Sequence, residues 1–248
     1  MALQTFVAEL HVHTVLSPCA EVEMIPPLII ERALARGINL LAITDHNACT
    51  NVAAVQQAAA GTGVAVLPGM EAQTREEVHV LCLFDELAQA LAWEAEFRAA
   101  LPPLENDAEH FGEQFVVDAT GDFIRRETQL LLTSARLSLD ETCARVDKLG
   151  GLVIPAHVDR PAFGLLTNLG LVPSDLPLAA LEVSRHLHPL DAGKINPQLK
   201  QYPLLQGGDA HRLDEMLGAN VFTMEAPTVA EIKLALRKEA GRELSYRV

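Results

Sequence analysis

Two histidines separated by a single residue, His11 and His13, stand at the end of the first strand-like segment of the chain, Phe6 to Val12. Side chains alternate between the two faces of a strand, so residues i and i+2 point the same way and two imidazoles can converge on one metal ion. A pair of this kind also arises by chance in ordinary chains. The pair therefore indicates a metal site only if other ligand types occur at comparable positions.

Histidines and carboxylates do recur beside the later strand-like segments. Six of the nine histidines in the sequence occupy such positions, and two acidic residues accompany them. The carboxyl ends of barrel strands are where a β/α barrel gathers catalytic groups from distant parts of the chain. Random placement rarely produces this pattern, so we predict one metal centre. Its candidate ligands are His11, His13, His46, Glu71, His79, His157, Asp209 and His211.

The donor types favour transition metals. Imidazoles combined with carboxylates suit Zn²⁺, Mn²⁺ or Fe, whereas Mg²⁺ and Ca²⁺ prefer shells made of oxygen alone. A four- or five-coordinate ion takes only part of the candidate set. The number of candidates therefore predicts two or three divalent metal ions.

These side chains must be positioned by alternating strands and helices. Apolar residues recur at three- and four-residue intervals in the segments between the strand-like runs, and this spacing predicts amphipathic helices. Such alternation favours parallel strands with crossover helices, in either a barrel or a doubly wound sheet. The predicted strands are Phe6 to Val12, Leu40 to Thr44, Val64 to Leu67, Val78 to Phe84, Leu152 to Pro155, Leu181 to Ser184 and Leu204 to Gln206. The predicted helices are Pro26 to Arg36, Val52 to Ala60, Glu86 to Leu101 and Ser138 to Leu149.

Two segments depart from this alternation. Residues 102–133, after the fourth strand, contain a Pro-Pro pair and a hairpin-like run, Val116 to Ile124, around a glycine. We interpret this segment as an insertion over the mouth of a barrel. Residues 219–248 then predict a strand, Asn220 to Met224, and a closing helix from about Thr228 to Ala240. The whole chain, 1–248, is predicted to form one domain.

Composition excludes several classes of partner. The formal net charge is −14 and the pI is near 5.0, and no run of Lys and Arg is present, so nucleic-acid binding is disfavoured. A small anionic substrate is still compatible, because bound cations dominate the field near them. Neither a leader-like N-terminus nor an apolar run of membrane-spanning length occurs, so we expect a cytoplasmic protein without membrane partners. The four cysteines lack C-x-x-C spacing and are expected to be reduced.

Two kinds of hydrolase site begin with H-x-H on the first barrel strand. An amidohydrolase-type site generally has a carboxylated lysine near the fourth strand, but the five lysines of this chain lie elsewhere. The sequence instead resembles the PHP (polymerase and histidinol phosphatase) family. The motifs that carry the resemblance occur in the family's order along nearly the whole chain. They are His11-Val12-His13-Thr14, Ile43-Thr44-Asp45-His46-Asn47, Pro68-Gly69-Met70-Glu71, His79, Pro155-Ala156-His157 and Gly208-Asp209-Ala210-His211.

The resemblance implies a fold and a ligand arrangement. The fold is a distorted TIM-like (β/α)7 barrel, a single α/β domain with an insertion after the fourth strand. The implied first metal is bound by His11, His13, Glu71 and Asp209. Glu71 bridges to a second metal bound by His79 and His157. The third site takes His46, His211 and the residue at Cys19.

Cys19 departs from the family pattern, in which histidine or aspartate is usual. Thiolate is a competent ligand for zinc or iron, so the metal preference of the third site can differ. Equally, Cys19 can be a small buried residue beside a weak or empty third site. Asp45 is expected to orient an imidazole rather than to bind metal.

Arginines are the candidate substrate ligands. Arg160, Arg185 and Arg212 follow the fifth, sixth and seventh predicted strands, and the guanidinium group suits phosphate oxygens. The resemblance implies a metal-dependent hydrolase of a small phosphate ester, a phosphomonoester or a nucleotide, in which Glu71, Asp209 and His211 are catalytic. Two alternatives remain open: a metal-binding regulatory module without catalysis, and an exonuclease-like phosphodiesterase. No pattern indicates an oligomeric state.

Overall fold

A computed structural model describes residues 2–247 and contains an α/β fold. Its strands are β1 (Gln4–Val12), β2 (Leu40–Ile43), β3 (Ala65–Gln73), β4 (His79–Leu83), β5 (Phe115–Val117), β6 (Phe123–Arg126), β7 (Leu152–Pro155), β8 (Leu181–Val183), β9 (Leu204–Gln206), β10 (Asn220–Met224) and β11 (Glu243–Tyr246). Its α-helices are α1 (Pro26–Arg36), α2 (Val52–Ala59), α3 (Leu87–Ala100), α4 (Ala108–Phe111), α5 (Leu139–Lys148), α6 (Leu165–Leu169), α7 (Pro189–Ile195) and α8 (Val229–Leu236).

The largest sheet is curled and contains seven strands in the order β11-β10-β1-β2-β3-β4-β7. A parallel pair, β8 and β9, continues the curve, because the amide of Val158, just after β7, donates to the carbonyl of Glu182 on β8 at 2.9 Å. After β9, Ala210 bridges back to Val12 of β1 in parallel. The seven strands predicted for the barrel therefore surround one interior. The predicted distorted TIM-like barrel is confirmed.

The orientation of the fourth strand differs from the prediction. β4 runs antiparallel to both β3 and β7, so it does not follow a crossover helix. β3 extends to Gln73, and only residues 74–78 connect it to β4, which is too short for a parallel connection. As a result, the first residue of β4 lies at the edge where the neighbouring strands end. His79 is paired with Gln73, the last residue of β3.

The four helices predicted between the strands correspond to α1, α2, α3 and α5, and their boundaries agree to within one residue at each end. Two prolines occupy the first turn of α1, where their missing amide protons have no helical partner in any case. Gly37 ends this helix in the left-handed region at φ 66°. In α5, Ser138 and Glu141 form the capping box. Trp93 and Phe97 of α3 are fully buried and pack into the core outside the sheet.

The segment 102–133 contains the predicted hairpin, in which β5 and β6 pair antiparallel. Arg98 of α3 makes two hydrogen bonds to the carboxylate of Glu127, at 2.8 and 3.0 Å. The side-chain amide of Asn47 donates to the carbonyls of Leu131 and Thr133 at 2.7 and 2.8 Å. These contacts fasten the segment to the barrel. Its interpretation as an insertion remains a prediction.

The C-terminal part adds one strand that the sequence-based prediction missed. β10 pairs with the first half of β1, and β11 pairs with β10. The closing helix α8 ends at Leu236, before the predicted Ala240, and Lys238 and Ala240 have left-handed backbones at φ 57° and 51°. No helix among residues 2–247 combines the length and the apolar character needed to cross a membrane.

Candidate metal centre

Glu71 of β3 is the central carboxylate of the site. It is 1% exposed, and its oxygens lie 2.8 to 3.4 Å from nitrogens of five imidazoles. Backbone pairing explains part of this convergence, because a bridge between His46 and Glu71 continues the parallel pairing of β2 with β3. The imidazoles belong to His11, His13, His46, His79 and His157.

Asp209 is the second carboxylate. Its Oδ1 lies 3.3 Å from Nε2 of His11 and 3.3 Å from Nε2 of His13. The amide of Ala210 donates to the carbonyl of His11, and the amide of His13 donates to the carbonyl of Ala210, both at 3.0 Å. These two bonds fix the loop after β9 against the end of β1. They bring candidate metal ligands from opposite ends of the chain, His11 and His13 on one side and Asp209 on the other, close together.

Several donor atoms of this cluster are buried without a hydrogen-bond partner among residues 2–247. They include Nε2 of His11, Nε2 of His13, Oε2 of Glu71 and Oδ1 of Asp209. Buried polar atoms without partners are unfavourable, and such atoms call for an ion or a water. One donor atom from each of these four residues lies within 4.8 Å of the others, a spacing suited to a single cation. The residues therefore fit a metal.

More than one group of side chains has this spacing. Two further groups satisfy the same distance criterion and share members with the first. One contains His46, Glu71 and His79, and the other contains His13, His46 and His211. His157 is also in reach, since its Nε2 lies 3.0 Å from Glu71. The three groups therefore form one continuous cluster of candidate ligands.

The pKa values of the two carboxylates, Glu71 and Asp209, are lowered in this site. Burial raises the pKa of Glu71, but the positive charges of the neighbouring His11 and His46 outweigh it and hold that pKa well below the usual range. The pKa of Asp209 is likewise lowered by His11 and His13, in opposition to its burial. Both side chains are therefore ionised. Burial lowers the pKa of His79 to about 4, despite the opposing charge of Glu71, so this imidazole is neutral and able to bind metal.

The second ring nitrogens of two histidines are fixed by polar neighbours. Nδ1 of His11 lies 2.8 Å from Oε1 of Glu182, and Nδ1 of His13 lies 2.9 Å from Oγ of Ser17. Ser17 donates to Asp45 at 2.7 Å, so Asp45 orients an imidazole through a hydroxyl rather than directly. With Nδ1 protonated, the Nε2 lone pair of each ring faces the carboxylates.

Cys19 lies at the edge of this cluster. The residue is exposed, so the alternative that it is a small buried residue is wrong. Partial desolvation of the thiol raises its pKa, but the charge of His46 and hydrogen bonds with His211 and His46 outweigh this effect and lower the pKa to about 6. A thiolate is the form that binds metal. Its role as a ligand stays a prediction.

An open cavity of about 550 Å³ leads to the cluster. Arg160 and Arg185 line it; Arg160 pairs with Asp209, and Arg185 lies 2.8 Å from Glu215. Arg212 is not among the described lining residues and pairs with the exposed Glu21 at 3.0 Å. The structure thus brings two of the three predicted arginines to the cavity. The apolar part of the wall consists of Phe111, Leu132 and Phe163.

A model of the PHP domain matches residues 9–159, more than half of the chain. The chain belongs to the PHP family. No curated protein sequence matches it significantly.

Solved structures similar to this PHP chain share its fold. Endonuclease Q from Pyrococcus furiosus is 20% identical with a TM-score of 0.70, and the match covers 97% of this chain and 58% of that one. A structure of endonuclease Q with a 27-mer duplex that has an abasic lesion at the active site is 19% identical, with the same TM-score and coverage. A protein from Bifidobacterium adolescentis described as a metal-dependent phosphoesterase is 20% identical with a TM-score of 0.57, covering 83% of this chain and 87% of that one.

The PHP chain thus spans about three fifths of the length of endonuclease Q. One of these similar structures holds a DNA duplex, whereas for this chain nucleic acid is disfavoured by the net charge and by the lack of a run of Lys and Arg. At 19% to 20% identity, these likenesses show the fold.

Two residues that contact candidate metal ligands of this PHP chain were not identified from the sequence. Glu182 and Ser17 each bind the second nitrogen of a candidate ligand. A signal existed for Glu182, because it is a charged residue between two apolar residues of a predicted strand, Leu181 and Val183. Ser17 gives no such signal. Its contact with His13 depends on the turn that follows β1, in which the amide of Ser17 donates to the carbonyl of Thr14.

The backbone of the site contains left-handed residues. His157 and Asp209 have φ of 29° and 46°, a region that side chains with a Cβ rarely adopt. Asn47, which follows His46, has φ of 52°. Such conformations persist when the surrounding structure over-determines them. Here the tight convergence of several strand ends imposes them.

Proposed function

We propose that this PHP chain is a metal-dependent phosphoesterase that hydrolyses a small phosphate ester, either a phosphomonoester or a nucleotide. The observation that carries the proposal is the convergence of imidazoles and two ionised carboxylates, with unpartnered donor atoms, at the end of a cavity lined by Arg160 and Arg185. An anionic ester requires hydrogen-bond donors for its phosphoryl oxygens, which the arginines at the rim offer, and a metal site for hydrolysis, which the side chains inside offer.

We assign the metal ligands to three sites. His11, His13, Glu71 and Asp209 hold the first ion, and Glu71 with His79 and His157 holds the second. The third site takes His46, His211 and Cys19. The imidazole-rich donor set favours Zn²⁺, Mn²⁺ or Fe. When bound, such ions act as Lewis acids and lower the pKa of a metal-bound water to near neutrality.

The residues of the chain perform the remaining tasks. Arg160 and Arg185 exchange their carboxylate partners for phosphoryl oxygens when an ester enters, since guanidinium binds both groups with the same geometry. Glu71 and Asp209 fix the reacting groups relative to the arginines. His211, whose side chain is 19% exposed, faces the cavity beside them. We assign catalysis to Glu71, Asp209 and His211.

The size of the cavity and the net charge of the chain both favour a small substrate. A cavity of about 550 Å³ is within the size range of small-molecule sites. Phe111, Leu132 and Phe163 offer an apolar surface to the alcohol part of the ester. A net charge of −14 opposes a long polyanion.

A second candidate function is a phosphodiesterase acting on DNA. The likeness to endonuclease Q, one structure of which holds a duplex with an abasic lesion, favours it. The first candidate is preferred because a strand-binding surface requires a basic stripe, and the sequence has no run of Lys and Arg.

The test uses purified protein of measured metal content. Phosphomonoesters and nucleotides are assayed for phosphate release, beside a DNA duplex with an abasic site assayed for strand cleavage. We expect release from at least one small ester and none from the Glu71→Ala variant. Cleavage of the duplex alone replaces the first candidate with the second. An absence of turnover at full metal occupancy contradicts both and favours the regulatory module.

A further inference from the structure

Glu182 is a buried carboxylate of β8 that lines no part of the cavity and belongs to none of the three ligand groups. It is 1% exposed. Its Oε1 lies 2.8 Å from Nδ1 of His11 and accepts a hydrogen bond from the backbone amide of His157 at 3.2 Å. One carboxylate oxygen thus touches two residues of the centre, one on β1 and one in the loop after β7.

We infer that Glu182 is a positioning residue of the metal centre, which fixes the ring of His11 and the backbone of His157 so that both can bind metal. The inference rests on the proposed metal centre. It does not require that the substrate be a phosphate ester.

The effect on His11 follows from hydrogen-bond chemistry. Nδ1 of His11 faces the carboxylate of Glu182, and an ionised carboxylate can only accept, so the neutral ring donates from Nδ1 and keeps its lone pair on Nε2 for a metal. That atom is buried without a hydrogen-bond partner in the described chain and lies 3.3 Å from both Glu71 and Asp209. A carboxylate partner also raises the basicity of an imidazole ligand. His13 has a neutral hydroxyl, Ser17, in the same position. The two histidines of the H-x-H pair therefore differ, and His11 is the stronger donor.

The effect on His157 concerns its backbone. This residue has a left-handed φ of 29° and lies two positions after the end of β7. Glu182 binds its amide through the side chain and binds the amide of Val158 through the main-chain carbonyl, at 2.9 Å. Consecutive amides are thereby held by one residue. The clamp keeps the unusual backbone in place, and with it the imidazole.

The space for the carboxylate is provided by Gly207, at the end of β9. A Cβ atom at this position would overlap the carboxylate of Glu182. Gly207 is not among the residues with positive φ, so the requirement here is for space rather than for backbone freedom. Gly207→Ala therefore displaces the carboxylate without changing its chemistry.

The experiment measures the dissociation constant of Zn²⁺ by competition with a chelator. Glu182→Ala is expected to weaken binding about 10- to 100-fold, the range found when such partners of ligands are removed. Glu182→Gln keeps an acceptor and loses the charge, so it is expected to lie between wild type and Glu182→Ala. Gly207→Ala is expected to resemble Glu182→Ala. The control is Glu94→Gln, since Glu94 is 7% exposed and its carboxylate contacts Thr50 and Arg98.

A second measurement separates positioning from general stability. Nitrogen NMR of the zinc-loaded protein is expected to show His11 protonated at Nδ1 in wild type and in Glu182→Gln. In Glu182→Ala the Nδ1 proton is expected to lose the low-field shift of a hydrogen bond to a carboxylate, because its acceptor has been removed. Unchanged zinc affinity in folded Glu182→Ala and Gly207→Ala, or an equal loss in Glu94→Gln, overturns the inference.

The metal assay contains no substrate, so the outcomes for the two proposals are separable. A wild-type protein that binds zinc through His11 but hydrolyses no phosphate ester contradicts the proposed function alone. A wild-type protein that binds no zinc contradicts both.

Discussion

Glu71 is the residue on which the centre depends most. Nitrogens of five imidazoles lie within 3.4 Å of its two oxygens, and it belongs to two of the three groups that suit a cation. A carboxylate in this position can bridge two ions because each oxygen has a free lone pair. Its removal affects more than one site.

Glu71→Ala is therefore expected to lose two metal ions at once, together with activity. The physical reason is that both ions lose a ligand and the charge that compensates them. Metal content after dialysis, measured by elemental analysis, checks this outcome. Glu94→Ala, which removes a buried carboxylate elsewhere, is expected to keep the wild-type content. Full metal content in Glu71→Ala means that Glu71 is not the bridge.

The candidate ligands were predictable because histidine and carboxylate at strand ends are rare and chemically distinctive. Glu182 and Ser17 were not predictable as partners of His11 and His13. Glu182 is separated from His11 by 171 residues, and only the curl of the sheet makes them neighbours. Arg212 was predicted to contact substrate because it follows His211 in sequence. Its guanidinium instead pairs with Glu21, which sequence position alone did not predict.

At the level of elements, the β3–β4 hairpin decides how His79 joins the centre. The sequence pattern located β4 because a short apolar run follows His79, but this pattern is the same for either strand direction. The direction depends on the length of the connection. The sequence pattern made this connection look longer than it is. The predicted strand ended at Leu67, whereas β3 continues through Pro68-Gly69 to Gln73. Had β4 been parallel, its first residue would lie at the opposite edge.

The contact between α3 and the segment 102–133 gives an element-scale prediction. Burial raises the pKa of Glu127, but hydrogen bonds from Arg98 and from the amide of Gln129 outweigh it and lower the pKa to about 2. Glu127→Gln is expected to reduce the free energy of unfolding at pH 7 by about 1–2 kcal/mol, between the values for exposed and buried pairs, because the side chain of Arg98 is 26% exposed.

The pH dependence of this contribution has a definite sign. The pKa of Glu127 is lower in the folded state than its ordinary value of 4.5, so its stabilisation is present above pH 4.5 and is lost as the pH falls toward about 2. Urea unfolding of wild type and variant at several pH values checks this. The two proteins should converge at low pH. Glu113→Gln, which breaks the exposed pair with Arg126 on the same hairpin, serves as the control. An equal effect of both variants at pH 7 contradicts the prediction.

For the whole molecule, the metal centre ties together segments from nearly the full length of the chain. Candidate ligands extend from His11 to His211, and the ions proposed there bind the folded state alone. Ligands with this preference stabilise folding by mass action.

Addition of Zn²⁺ or Mn²⁺ to metal-free protein is therefore expected to raise the melting temperature. At 100 times the dissociation constant, one site contributes about 2.7 kcal/mol. For a chain of this size, that contribution corresponds to roughly 5–10 °C. Differential scanning calorimetry with and without metal measures the shift. Ca²⁺ at the same concentration should shift it less, because the donor set is rich in nitrogen. Equal shifts for all three ions contradict the assigned donors.

The left-handed backbones of His157 and Asp209 set stability and function against each other. A residue with a Cβ in such a conformation costs of order 1–3 kcal/mol, and glycine relieves most of that cost. Glycine at either position would also delete a candidate metal ligand. Selection for thermal tolerance alone would thus favour substitutions that dismantle the centre. Glycine at His157 or Asp209 is therefore expected to make the PHP chain more stable and a poorer binder of metal.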